Sequence, residues 1–278
     1  MISKKVDAIL LSVQSLRPMP SNVTRILKEV EDPNAPIGIV AELIGLDQAL
    51  AALVLQMANS VAMGYNRSCT SIRDAVMRIG LKRLKGLLMA SPAIGPMRNS
   101  LSGYRLGAGE LWRHSLATAI ASEWMAQALR YPNPEEAYAS GLLHDVGKLV
   151  LDQYVLKDYM QILNFVQQYK MPLWQVEDKL IGIDHARVGG LIAERWGFPN
   201  ALVDAISYHH YPSLARTNAV LPAIVNLANS VTAAIDQPDA ILLGGEVHPE
   251  TMNILHISED RMASYREKLA GVLSIEVA

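Results

Sequence analysis

Residues 141–149 read GLLHDVGKL, a histidine–aspartate pair framed on both sides by aliphatic residues. Apolar positions around it recur three and four apart, the period of a helix and not the alternation of a strand. The spacing predicts one helix from about Glu135 to Gln153 that carries His144 and Asp145. Lys148 is three residues past Asp145 and four past His144, so on a helix it projects to the same side as the pair.

The helical period continues in both directions. N-terminal to the pair, it predicts helices from Lys4 to Leu16, from a Ser21 cap to Asp32-Pro33, after Pro36, after an Asp47 cap, after Thr70-Ser71, and from Gly80 until it fades near Pro92 to Pro96. Ser71 and Asp74 have the spacing of a capping box. C-terminal helices are expected at Gly109–Arg130, Leu156–Tyr169, Pro172–Ile181, Asp184–Trp196, Pro199–His209 and Asn218–Ile235. A loop after Asp236 and an amphipathic helix near Ser258–Leu273 complete the chain. The fold class is therefore all-α. Arg98 to Gly109 (RNSLSGYRLGAG) is polar and glycine-rich, which makes it the expected boundary between two packed helical parts, residues 1–105 and 106–278.

Composition narrows the function classes. The chain has 278 residues, half of them apolar, and a net charge of −2. No basic face of the kind that holds nucleic acid is present, so DNA is not an expected partner. Lys82, Arg83 and Lys85 cluster on one helical stretch and read as a solvated face. Cys69 is the one cysteine, so no internal disulfide forms, which suits a reducing cytoplasm. The start lacks a signal-peptide pattern, and no apolar run reaches the length of a membrane span. The four tryptophans and most of the twelve methionines fall at apolar helical positions and read as core. Asn59 is an amide on an apolar helix, expected to hydrogen-bond across helix packing.

Five of the seven histidines lie between positions 114 and 210. Glu110 and His114 are four apart on one helix. His185 follows a helix cap, and His209-His210 closes a helix before Tyr211-Pro212. Imidazole and carboxylate are common ligands of first-row divalent metals, and ligands on separate helices can converge inside a bundle. Lys148 could steady an anionic substrate or leaving group. A lone buried histidine is more often a hydrogen-bonded core residue, and a histidine pair at a helix end can simply favour the helix dipole. The ordered set of His, His-Asp, Lys, His and His-His separates this chain from that ordinary case. His248 and His256 lie outside the set.

At these residues the chain resembles the HD superfamily of metal-dependent phosphohydrolases. The resemblance lies in LWRHS around His114, in GLLHDVGKL, in DHARVGGLIAERWGFP around His185 and in AISYHH ending at His210. It implies His114, His144 and Asp145 as core metal ligands. The larger set resembles the HD-GYP branch, which hydrolyses cyclic dinucleotides with two or more metals. By position it implies Glu110, His185, His209 and His210 as further ligands and Lys148 as the substrate-side lysine, with Asp145 and Lys148 carrying the catalysis. The stretches Leu16–Gly64 and Thr70–Leu88 resemble the HDOD family, bacterial signalling output modules with a helical part packed on an HD-like part. That likeness implies one or two divalent ions (Fe, Mn, Zn or Mg) and a signalling protein or nucleotide as partner. It also implies a cytoplasmic, membrane-free location. Two departures stand out. Asn229, with Asn226 as second choice, occupies the place of the superfamily's last aspartate ligand, and YPSLART after His210 lacks the GYP loop.

Overall fold

The computed structural model describes residues 2–32, 34–60, 68–236 and 247–276. Among the described residues the regular structure is helical, with no strand beyond one isolated bridge between Leu101 and Leu106. In chain order the helices are α1 (Ile2–Ser15), α2 (Ser21–Val30), α3 (Ile37–Gly45), α4 (Gln48–Ala58), α5 (Ile72–Ile79) and α6 (Leu81–Met97). Then follow α7 (Glu110–Ala128), α8 (Pro134–Leu143), α9 (Lys148–Tyr169), α10 (Leu173–Ile181), α11 (His185–Arg195) and α12 (Asn200–Ser207). A 3-10 turn at Pro212–Leu214 precedes α13 (Val220–Asp236), α14 (Thr251–Leu255) and α15 (Glu259–Glu276). The loop expected after Asp236 lies largely outside the described residues, as does Pro33.

Side-chain caps start several helices as the sequence implies. Asp47 accepts from the backbone N–H groups of Ala49 and Leu50, Ser71 from Asp74, Asp184 from Arg187 and Asn218 from Val220. Ser21 is a correction: Pro20 holds the cap position and Ser21 begins α2 with no side-chain cap bond. Helix α6 runs through Pro92 and Pro96 to Met97 and does not fade before them. Proline leaves the carbonyl four residues back without its donor. At Pro92 that carbonyl is Leu88, and the Ser91 hydroxyl donates to it at 2.7 Å. Burial of Leu87, Leu88, Ala90, Ala93, Ile94 and Met97 supplies the rest of the reason the helix persists.

The largest correction falls on the opening motif. Glu135 to Gln153 is not one helix. Helix α8 ends at Leu143, residues 144–147 form a tight turn, and α9 then runs unbroken through the gap expected near residues 154–155. Within the turn the backbone bonds span three residues: Val146 N–H to Leu143 O, Lys148 N–H to Asp145 O, and Leu149 N–H to Val146 O. Gly147 makes the turn possible. A Cβ there would stand 2.0 Å from His185 O and 2.7 Å from Gly189 N, so α11 passes directly against this backbone.

One apolar core cluster extends from Ile9 to Ile206, and a second joins α7, α8 and α13 to the C-terminal helices through Met125, Leu227 and Leu269. Helix α1 packs against α9, α10 and α11, with Lys5 bonded to Asp158 and to Leu180 O, so the N-terminus lies with the later helices. The connection from Arg98 to Gly109, expected as a polar boundary, is partly buried: Leu101, Tyr104 and Leu106 are no more than 6% exposed. Asn59 pairs with the backbone of Cys69 through both its amide groups, tying the end of α4 to the residues just before α5. No helix among the described residues is long and apolar enough to cross a membrane.

Candidate metal centre

Four elements bring the histidines together. His114 lies in the second turn of α7, His144 and Asp145 form the turn after α8, His185 opens α11, and His209-His210 follows α12. All six side chains are at most 4% exposed, and Lys148 beside them is fully buried. They form two groups of three, His114–His144–Asp145 and His185–His209–His210, each with ligand atoms within 4.8 Å of one another.

Asp145 connects the groups. Its Oδ2 stands 3.4 Å from His144 Nε2 and 3.7 Å from His114 Nε2, and accepts from Lys148 Nζ at 2.7 Å. Its Oδ1 faces the second group, 3.2 Å from His185 Nε2. His185 Nε2 in turn lies 2.9 Å from His210 Nε2. Ligands about 2.1 Å from a shared first-row ion stand about 3 Å apart, so these separations match a coordination shell.

The remaining ring nitrogens are oriented for ligation. His144 donates Nδ1–H to Gly141 O at 2.7 Å, and His209 donates Nδ1–H to Ile206 O at 2.8 Å, which leaves each Nε2 lone pair directed inward. His185 is bonded through Nδ1 to Glu177 Oε2 at 2.6 Å. Metal-binding histidines typically donate the second ring N–H in this way. His144 Nε2, His209 Nε2, both nitrogens of His114 and Asn229 Oδ1 are buried without a hydrogen-bond partner. Buried polar atoms without partners are costly and rare, and here they share one neighbourhood and one chemistry. Divalent cations would satisfy the inward-facing nitrogens, one from each ring, so the donor set fits a metal.

Burial controls the protonation states. It pushes His114 down to about 3, with the neighbouring His144 adding to the effect. His209 and His210 are likewise held well below the usual histidine range, first by burial and then by neighbouring histidines. Three imidazoles are thus neutral and able to ligate. For His185 burial acts downward too, but Glu177 foremost, with the nearby Asp145 carboxylate, overrides it and raises the ring to about 9. For Asp145 burial favours the neutral acid, yet the facing His144, Lys148 and His185 hold it ionised, well below the usual carboxylate range.

Two expected residues sit differently. Glu110 is only partly buried and turns back to accept from Gly107 N–H at 2.7 Å, so it is not part of either group. Of the two asparagines, Asn229 faces His114, whereas Asn226 accepts from His248 N–H and from Thr251 Oγ1 and holds α14. Two residues were missed in the sequence. Glu177 is fully buried behind His185, and Tyr104 donates to Glu177 Oε1 at 2.7 Å. The signal for Glu177 was its register: it is four residues from both Leu173 and Ile181, on the buried stripe of α10. Trp174, read as core, stacks on His210 with ring centroids 5.7 Å apart.

Comparison with known proteins agrees with this arrangement. The HDOD domain model matches residues 16–212. An uncharacterised protein of Treponema pallidum is 25% identical over 236 residues, covering 84% of this chain but 45% of its own length. The chain therefore spans under half of that curated relative. A Shewanella amazonensis crystal structure, provisionally named a phosphohydrolase, superposes with a TM-score of 0.71 at 26% identity over 97% of both chains. An HDOD domain protein of unknown function from Geobacter sulfurreducens superposes with a TM-score of 0.66 at 26% identity, over 96% of this chain and 99% of its own. With the match running from Leu16, just after α1, to Pro212 at the start of the 3-10 turn, over most of the chain, the chain belongs to the HDOD domain family.

Proposed function

We propose that the chain is a signalling output module that holds a divalent metal in its buried His/Asp centre, with phosphoester hydrolysis as the ancestral chemistry of the site. The observation that carries this reading is the combination of a complete, inward-facing imidazole set with an amide, Asn229, in the position where a carboxylate would strengthen the first group. His114, His144 and Asp145 would hold one ion, and His185, His209 and His210 a second, with Asp145 between them. The imidazole-rich donor set favours iron, manganese or zinc over magnesium, which prefers oxygen ligands and water. A bound ion supplies Lewis acidity toward water and phosphate oxygen. Lys148 is tied to Asp145 at 2.7 Å and fully buried, so here it fixes the carboxylate and neutralises its charge. The partner is a signalling protein or a nucleotide, and the site of action is the cytoplasm.

The second reading is an active metal-dependent phosphohydrolase on a nucleotide or cyclic dinucleotide. The retained Lys148–Asp145 pair favours it. The two readings separate on a generic aromatic phosphodiester presented to the manganese-loaded protein. A module gives no hydrolysis above the Asp145→Ala variant, and partner or nucleotide binding survives that substitution. Turnover by the native chain that disappears in Asp145→Ala would establish the enzyme instead.

A further inference from the structure

The connection between α6 and α7 reaches the metal centre through a chain of buried hydrogen bonds. Tyr104, at its tip, is 1% exposed and donates to Glu177 Oε1. The other oxygen of Glu177 accepts twice from His185, from the backbone N–H at 2.8 Å and from ring Nδ1 at 2.6 Å. The tip is clasped to α9: Asp152 Oδ1 accepts from Gly103 N–H at 2.8 Å and from Tyr104 N–H at 3.3 Å. A Cβ at residue 103 would stand 2.1 Å from Asp152 O, so the two backbones touch and Tyr104 has little freedom to shift. Tyr104 touches none of the six ligand side chains in hydrogen-bond contact. Its hydroxyl bonds to Glu177, and its ring lies 5.6 Å from Lys148 Nζ.

We infer that Tyr104 and Glu177 are positioning residues for His185, and that the connection from Arg98 to Gly109 thereby sets the occupancy of the second ion position without affecting the first. The inference rests on the metal reading above and adds a control element to it. Glu177 fixes which nitrogen of His185 carries hydrogen and the direction in which Nε2 points. Tyr104 saturates the far oxygen of Glu177 and keeps the carboxylate in the plane that meets the ring. The first group has its own orienting bonds: His144 is held by Gly141 O, and Asp145 by Lys148. Loss of the Tyr104 hydroxyl therefore acts on His185 and leaves His144 and Asp145 aimed as before. The clasp of the connection to Asp152 keeps that hydroxyl in place, so the strap between α6 and α7 holds the second ion position formed.

The test uses the full chain, stripped with chelator and titrated with manganese(II), with ions per chain counted by elemental analysis and the paired-ion signal followed by electron paramagnetic resonance. Native protein is expected to take two ions and show the coupled pair. Tyr104→Phe and Glu177→Gln are expected to keep the first ion at native affinity, weaken the second about 10- to 100-fold, and replace the coupled signal by that of an isolated ion. Thermal melting of the stripped variants checks that they fold. Two ions at native affinity in both variants would overturn the inference and leave the metal reading standing, as would native protein that saturates at one ion. Parallel loss of both ions would also overturn it, since a merely loosened fold does that. Native protein that binds no ion would remove the metal reading itself.

Discussion

At the scale of single residues, the composition of the centre was legible and its support was not. His114, His144, Asp145, His185, His209 and His210 are rare side chains at suggestive spacings, and each reached the buried cluster. Glu177 was hidden because a carboxylate in the run Glu177-Asp178-Lys179 looks like solvated surface, and only its register with Leu173 and Ile181 says otherwise. Tyr104 was hidden because nothing in a polar, glycine-containing stretch announces a buried phenol. Asn229 is the residue whose chemistry can be changed most cleanly. Its Oδ1 is buried, without a partner, and faces His114. Asn229→Asp places a carboxylate at that point, and hard divalent cations prefer it to a neutral amide. Metal affinity of the first group, measured by competition with a chelator, is expected to rise at least about tenfold. Unchanged affinity would mean that position 229 does not reach the ion.

At the scale of elements, most helices followed from periodicity and caps, and the failures have specific causes. Proline normally ends a helix, but in α6 the Ser91 hydroxyl serves the carbonyl that Pro92 abandons. The break between α8 and α9 falls inside a strongly helical pattern, because the backbone of α11 must pass there. That contact depends on Gly147, whose missing Cβ leaves room for His185 O. Gly147→Ala forces the turn away from α11, the two elements that hold Asp145 and His185. The expected cost is about 3 kcal/mol of stability, with metal lost from the second group, measured by urea unfolding with and without metal. A variant as stable as native would show that the turn has slack not visible in its packing. The connection from Arg98 to Gly109 was legible as irregular chain and not as a buried strap, since its anchors, Asp152 and Glu177, are on distant helices.

At the scale of the whole molecule, burying so many titratable groups in one place makes stability depend on pH when metal is removed. His114 titrates near 3 in the fold and near 6.5 when unfolded, so as pH falls from about 6.5 the unfolded chain gains a proton that the fold refuses. His209 and His210 act in the same direction. Stability is lost by up to about 1.4 kcal/mol per pH unit for each such histidine. His185 has the opposite sign. Its folded value is about 9, so its contribution is complete below about 6.5 and disappears as pH rises toward 9. Thermal melts of the chelator-stripped protein are therefore expected to peak near neutrality and fall on both sides, whereas saturating metal, which displaces the proton from His185, flattens the alkaline side. A metal-free profile without a maximum would contradict these charge states. The central claim is that side chains spread over nearly a hundred residues of sequence form one metal centre. Elemental analysis of the purified native chain beside Asp145→Ala tests it most directly. Stoichiometric transition metal in the native protein, and its loss in Asp145→Ala, is the expected result. A native chain that holds no ion, even after reconstitution with iron, manganese or zinc, would contradict it.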